Sequence, residues 1–425
     1  MKKRFCAIML VLVFCFFAGP NAHAGEVDVL LQKLIDKGIL TASEAQEVRT
    51  ETNEATKKEE KQKAEQLKKD LPDWVKNVKL KGDFRLRYQY NHSNNTLNDR
   101  HRARIRLRLG VEGKVNDKLM AGLGLATGLS DGSADAARST NATLADGFSK
   151  KPIALDYAYA KYTPYEWIDI IGGKFNNPLW NPTDLVWDTD INPEGGSINL
   201  KKKVSDNLDL FLNTGIFVLD ESGSATQNDD PMMYVIQPGF SAKLNNKVSV
   251  KGAFGYNISS NVKGRSLDGK AGTNSAFGGL LTHDFTVVEP AAQADINKPF
   301  EFINVSVFKD VESLSLFAQY VNNTQASDEN NGFAVGFGLG AKKVAKFGDW
   351  QFKYIYAVLE KDAILDILPD SDRYSGKTGI RSHEGVLTFG LSKNTFLGLD
   401  IYRSWSIIDS KAAETLVQAD WNMKF

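Results

Sequence analysis

From Val78 onward the chain alternates with a period of two: Leu80, Gly82, Phe84, Leu86, Tyr88 and Tyr90 fall on one face, Lys79, Lys81, Asp83, Arg85, Arg87 and Gln89 on the other. Successive side chains of a strand point to opposite faces, so this segment has an apolar and a charged side. The next repeats it, with Ala103, Ile105, Leu107, Leu109 and Val111 set against Arg102, Arg104, Arg106, Arg108 and Glu112. Soluble sheets alternate in the same way, and the connections separate the two cases. Strands read near 78–91, 100–115, 118–128, 154–163, 168–176, 194–204, 207–220, 232–244, 247–259, 299–309, 313–323, 332–345, 350–361, 383–392, 395–407 and 413–425. Tight turns, such as Asn116-Asp117, Asn245-Asn246, Asp310 to Glu312 and Lys393-Asn394, alternate with longer polar loops. Short turns at one end and long loops at the other are the pattern of an outer-membrane barrel.

After the first 24 residues no apolar run approaches the ~18 residues a spanning helix requires, which leaves a closed barrel as the way across a bilayer. The fold class read from this is all-β, a transmembrane antiparallel β-barrel of sixteen strands over residues 72–425, with a short α-helical periplasmic segment before it. Residues 276–290, with Phe285, Val287 and Val288, could count as a seventeenth strand. That count would put the turn at Asp310 among the long loops, so 260–298 is read as one long outer loop.

Lys2, Lys3 and Arg4, the apolar run Phe5 to Phe17 and Ala22-His23-Ala24 make the three parts of a cleaved signal peptide over residues 1–24. Cys6 and Cys15 both lie inside it, so the exported chain has no thiol for chemistry. The whole chain holds 52 basic and 52 acidic residues. Three of the basic ones and none of the acidic ones go with the leader, which leaves a slightly acidic protein and argues against a nucleic-acid partner.

Residues 25–71 change period. Leu30, Leu31, Leu34 and Ile35 recur at helical spacing up to Gly38, a C-cap residue, and Thr41 with Glu44 forms a capping box for a second helix. From Thr50 to Asp70 that helix is charged nearly all round, with Glu54/Lys58, Glu59/Lys63 and Glu65/Lys69 at i,i+4. Such a helix cannot bury itself in a monomer. It reads as a solvated spacer, as a weak trimeric coiled coil through Ala45, Val48, Thr52, Ala55, Gln62 and Leu67, or, through the Leu34 cluster, as a dock for peptidoglycan. Pro72 ends it.

Val417, Ala419, Trp421, Met423 and Phe425 alternate with Gln418, Asp420, Asn422 and Lys424. A final amphipathic strand ending in Phe425 resembles the signal that the barrel assembly machinery reads. Tyr88, Tyr90, Tyr157, Tyr159, Trp167, Trp350, Tyr354 and Trp405 near strand ends suit the aromatic girdles at the lipid interfaces.

Lys81-Gly82-Asp83-Phe84-Arg85-Leu86-Arg87-Tyr88, Arg102 to Gly110, Gly172-Gly173-Lys174-Phe175 with Asn177-Pro178, Val186-Trp187-Asp188 to Gly195 and Pro369-Asp370-Ser371-Asp372 together resemble a family of outer-membrane porins with a helical N-terminal segment. The resemblance covers most of the exported chain. It implies a water-filled channel for small hydrophilic solutes or ions, seated in outer-membrane lipid and assembled as a homotrimer, with no cofactor.

If alternate residues face the lumen, Arg85, Arg87, Arg102, Arg104, Arg106 and Arg108 form one patch on adjacent strands. A water-filled lumen tolerates any polar residue, but a clustered field in a confined channel also concentrates counter-ions. The third outer loop holds Asp184, Trp187, Asp188, Asp190 and Glu194. By resemblance to general porins it folds inward and narrows the pore, setting acids opposite the arginines; otherwise its acids cap the outer rim. Asp188-x-Asp190-x-Asn192 has the opening spacing of a calcium loop, but Pro193 stands where glycine is needed and no acid follows at the twelfth position, so no metal is assigned.

An enzymatic barrel would need a nucleophile, base and orienting group on one surface. His92, His101, His283 and His383 are scattered, and there is no Gly-x-Ser-x-Gly elbow, so no catalytic residue is assigned. The remaining alternative is a tether between outer membrane and cell wall, with the barrel as anchor.

Overall fold

The computed structural model describes residues 26–51, 77–96, 98–129, 133–221, 229–302, 311–409 and 412–425. The signal-peptide reading, and the heptad reading beyond residue 51, lie outside them. The chain divides into two compact units, Met1–Lys76 and Asn77–Phe425.

In the first unit α1 spans Glu26–Asp36. Gly38, at φ 68°, donates its N–H to Ile35 O at 2.9 Å, and Ile39 N–H reaches back to Leu34 O at 3.0 Å. That left-handed turn closes the helix, and glycine adopts it at no steric cost. Residues 42–51 are helical again. Thr41 N–H donates to Glu44 Oε2 at 2.8 Å, and Glu44 N–H to Thr41 Oγ1 at 3.3 Å, a reciprocal cap.

The second unit is a closed antiparallel barrel. Its strands are β1 Val78–Ser93, β2 Arg100–Lys114, β3 Leu119–Thr127, β4 Ile153–Tyr165, β5 Ile168–Lys174, β6 Glu194–Ser205, β7 Leu208–Val218 and β8 Met232–Lys243. They continue as β9 Val248–Ser260, β10 Phe285–Asn297, β11 Ser313–Asn323, β12 Asn331–Gly340, β13 Trp350–Leu359, β14 Ile380–Ser392, β15 Thr395–Ser406 and β16 Ala413–Lys424. Each pairs with its neighbours in sequence, and β16 returns to β1 with Asp83 opposite Lys424 and Ser93 opposite Glu414. Closure leaves no sheet edge for lipid to meet. A two-residue strand, Ala142–Thr143, lies beside Arg104 and Ile105 of β2.

The tenth strand is not where the alternation put it. Residues 299–302 are turn, and 285–297, read above as loop, form β10, with Ile296 opposite Val248 on β9 and Asn297 opposite Ser313 on β11. The rest of the expected strand, 303–309, lies outside the described residues, and with β10 the closed barrel counts sixteen long strands among the described residues. The turn at Asp310 decided the reading of 285–297 as loop, and the loop end of β10 gave no polar alternation to oppose it: Phe285 and Val287 face inward and are buried, ahead of the inward-facing Glu289.

Elsewhere the barrel is inverted relative to a soluble domain. Leu86, Leu109, Leu123, Ile198, Ile216, Phe240, Leu316 and Leu399 are exposed, while Gln89, Asn213, Gln237, Asn257, Glu289, Gln319 and Gln418 are buried. Tyr157 and Tyr159 depart from the girdle assignment. The register shifts between Gly124 and Leu125, leaving Asp156 unpaired, which turns both rings inward. The Tyr157 ring then lies against Gly124 and its hydroxyl against Gly110, where any Cβ would collide.

Candidate functional site: the lumen and its folded loops

Four long loops matter here: L2 (128–152), L3 (175–193), L5 (261–284) and L7 (360–379). L3 leaves β5 and reaches inward-facing side chains on opposite walls. Asp190 Oδ1 accepts from Arg108 of β2 at 3.2 Å. Trp180 N–H donates to Gln237 Oε1 of β8 at 2.8 Å, and Thr183 bonds Gln319 of β11. Arg108, Gln237 and Gln319 stand well inside their strands, and β2 lies across the barrel from β8 to β11, so L3 crosses the lumen.

What holds L3 down is partly apolar. Leu185, Val186 and Trp187 are buried with Phe217, Val235, Phe285 and Phe317 of the wall and with Ile364, Leu365 and Leu368 of L7. Phe175 and Trp187 both meet Phe217 edge-on, at 6.2 and 6.3 Å. Side chains of this size contribute about 1.5–3 kcal/mol each when fully buried. At this level the inner wall of β7, β8, β10, β11 and β13 is therefore packed core.

The rest is polar. Asp188 joins L3 to L7, accepting from Ser371 N–H at 2.8 Å and from Asp190 N–H at 2.9 Å. Arg373 of L7 donates to Asp184 at 2.7 Å and to Glu384 of β14 at 2.5 Å. L7 is fastened in turn by L2, where Arg138 Nη1 donates to the carbonyls of Asp366, Pro369 and Gly376 at 3.0 to 3.1 Å. L5 adds Asn274, whose amide donates to Lys361 O at 2.7 Å and Ile364 O at 2.9 Å.

Burial opposes ionisation of Asp184, Asp188, Asp370 and Asp372. For Asp184 the Arg373 guanidinium outweighs it, and for Asp372 the Arg87 guanidinium does, so both carboxyls are held below the usual range. At Asp188 burial and then the charge of Asp190 push the carboxyl up to about 8. Asp370 moves the same way, through burial and then Asp184.

The six arginines do come together on the β1–β2 wall, and most carry a carboxylate. Asp83 receives Arg106 at 2.8 Å and Arg108 at 2.7 Å. Asp420 of β16 takes Arg87 at 2.8 Å and lies 3.4 Å from Arg85, which also donates to Asn422 at 3.0 Å. Arg87 reaches Asp372 of L7 at 3.1 Å as well. Arg104 donates to Gln89 at 3.2 Å and to Asn141 O at 3.1 Å; Arg102 shares their inward face. Of the L3 residues singled out, Asp190 meets the arginine wall, Asp184 and Asp188 bind L7, and Trp187 is core. Glu194 opens β6 and pairs with Lys174 at 2.8 Å.

Sequence reading missed Asp83 and Asp420 as counter-charges, and Arg138 and Arg373 as loop clamps. The first two were visible as lone acids among basic or polar neighbours. The clamps carry no local signal, since Arg138 finds its partners more than 220 residues away. His101 and His383 each bond a tyrosine, Tyr88 and Tyr354, at 2.6 Å on the outer barrel face, and His92 pairs with Asp99 at 2.7 Å.

Phe425 closes the barrel. Its N–H donates to Gly82 O at 3.0 Å and its carbonyl accepts from Gly82 N–H at 2.9 Å, and the ring lies over Gly82, where a Cβ would come within 2.5 Å of it.

Residues 89–279 and 273–425 match a family described as "Putative porin". No curated protein matches the chain. Among solved structures, the high-pH form of Pseudomonas putida OprB is 12% identical with a TM-score of 0.54, over 83% of this chain and 95% of that one. A loop L8 deletion mutant of Vibrio cholerae OmpT is 11% identical (TM-score 0.47, 81% and 99%), and a mutant of Rh. blastica porin is 12% identical (0.45, 82% and 100%). At such identities the OprB likeness speaks to the fold alone. The family match covers far more than half of the chain and coincides with a closed sixteen-stranded antiparallel barrel, so this chain belongs to that porin family and is an outer-membrane β-barrel.

Proposed function

We propose that the barrel is a passive, non-enzymatic channel for small hydrophilic solutes, with a preference for anions. The observation that carries the reading is the crossing of the lumen by L3. With L7 it packs against the walls of β7, β8, β10, β11 and β13, and on this reading the polar passage runs along β16, β1 and β2. Six arginines lie on that wall, with Arg87, Arg104 and Arg106 buried within it, and four carboxylates, Asp83, Asp190, Asp372 and Asp420, bind Arg85, Arg87, Arg106 and Arg108 directly. On this reading the arginine cluster, held beside low-dielectric protein, raises the local concentration of anions. Asp190 and Asp372 belong to loops, so loop position also sets the field.

The test is a reversal potential in a salt gradient across a planar bilayer, for wild type and for the Arg104→Ala, Arg106→Ala double variant. Wild type should prefer anions more than the variant does. An unchanged ion preference together with unchanged conductance would remove these arginines from the selectivity element. A preparation that gives no conductance steps would count against the channel itself.

A further inference from the structure

The outer face of the barrel carries a slot that the channel reading does not use. Between β13 and β15, outward-facing Phe352, Leu387, Leu399 and Ile401 surround Gly385, and the cavity they form holds about 400 Å³. Gly385 sits directly opposite Ile401 and Tyr354, and its missing side chain makes the floor of the slot. A Cβ there would meet Phe352 only at an ordinary 3.9 Å, so neither packing nor backbone demands glycine.

At its loop end the slot turns basic. Arg403 lines it beside His383, its register partner, and Arg381 stands opposite Trp405 one row further out. Both guanidiniums lie over the Trp405 ring, at 5.2 and 5.7 Å, and Arg403 donates to Thr415 at 2.6 Å. The nearest acid on β14, Glu384, next after His383, points inward to Arg373. Next along this row, His92 is already matched by Asp99. Two arginines, stacked and held on an otherwise apolar surface, present forked donors suited to a phosphate.

We propose that this slot binds a phosphate-bearing acylated lipid of the outward-facing leaflet, with one acyl chain against Gly385 and the phosphate on Arg381 and Arg403. The dimensions agree. From Arg403 to Leu399 is about 13 Å of strand, close to the ~15 Å hydrocarbon depth of one leaflet. The polar end faces the long loops, where headgroups lie, and the apolar end faces the bilayer centre. An acyl chain alone would need no arginines, and a phosphate alone would need no slot.

Native mass spectrometry of the full-length, delipidated protein tests this, with dioleoyl phosphatidic acid as probe and dioleoyl phosphatidylcholine as control. Wild type should retain phosphatidic acid in preference by roughly tenfold, the scale of a charge-assisted contact. Arg381→Ala with Arg403→Ala should abolish that preference, and Gly385→Leu, which fills the slot, should abolish retention of both lipids. Heat-modifiable migration identifies folded barrels. If Gly385→Leu does not assemble, Leu387→Ala with Ile401→Ala replaces it, with weaker retention expected. Equal retention of the two lipids by wild type, or wild-type retention by the folded variants, overturns the proposal. A change in subunit number in the arginine variant without a change in lipid retention also overturns it, and makes a second copy of the chain the occupant.

Discussion

Arg108 and Asp190 meet at 3.2 Å, joining the second strand to a loop residue 82 positions later. Asp190 also accepts from Thr140 of L2, through N–H at 3.2 Å and Oγ1 at 3.0 Å. One carboxylate thus fastens L3 to the arginine wall and to a second loop, and it neutralises part of the wall's charge.

Asp190→Ala should therefore have two effects in the same direction. Removing the carboxylate frees L3 at its β2 end, so single-channel conductance should rise. It also exposes Arg108, so the reversal potential should shift toward anions. Asp190→Asn keeps hydrogen-bonding capacity without the charge, and should shift selectivity with a smaller change in conductance. Equal effects of the two variants on conductance would mean that charge, not attachment, governs it.

Arg373 is the second attachment, buried between Asp184 and Glu384. Breaking a buried pair by removing one partner costs about 3–5 kcal/mol, because the charge left behind stays desolvated. Arg373→Met should lower the temperature of barrel unfolding on gels and add flickering to single-channel traces. Arg373→Met combined with Glu384→Gln should recover part of the loss. Wild-type behaviour of the single variant would remove the clamp.

The L3–L7 contact should weaken with rising pH. Asp188 in the folded loop is pushed up to about 8, against an ordinary value of 3.8, by burial and then Asp190. The attached loop thus holds a proton that a detached loop has lost. The Asp188 contribution to attachment is largest below about pH 4, declines as pH rises, and reaches its minimum above about pH 8, while the Asp184–Arg373 pair weakens only at the acid end. Asp370 moves in the same direction. Channel opening and closing should become more frequent between pH 5 and pH 9, and Asp188→Asn should flatten part of that dependence. Traces that do not change with pH would refute it.

Legibility in the sequence followed what the alternation could and could not encode. The β1 and β2 strands declared themselves because their inner faces are arginine and their outer faces Leu, Ile and Tyr. β10 did not, because counting it put the turn at Asp310 among the long loops, and its Phe285 and Val287 face inward onto the apolar packing of L3 and L7. Nothing local distinguishes that from a lipid-facing residue. The inward turn of Tyr157 depends on one unpaired residue, Asp156, and a bulge shifts every side chain beyond it to the other face. The arginine cluster was readable; its pairing with Asp372, 285 residues from Arg87, was not. Salt bridges of that span follow from loop folding, which the wall pattern leaves open.

The L2–L7 lock makes the sharpest structural prediction. Arg138 is almost fully buried, and three L7 carbonyls share the two N–H groups of its Nη1. Gly376 shapes the receiving turn at φ 71°, and a Cβ there would meet Arg138 Nη1 at 2.5 Å and Cζ at 2.8 Å. Arg138→Ala strands the carbonyls, each at a cost of about 1–3 kcal/mol where water does not replace the donor. Gly376→Ala both strains the turn and expels the arginine. Each should loosen L7 and make conductance noisier. Because both act on one contact, the double variant should be little worse than the more severe single one. Additive effects on unfolding temperature and conductance noise would show that the two residues stabilise L7 independently.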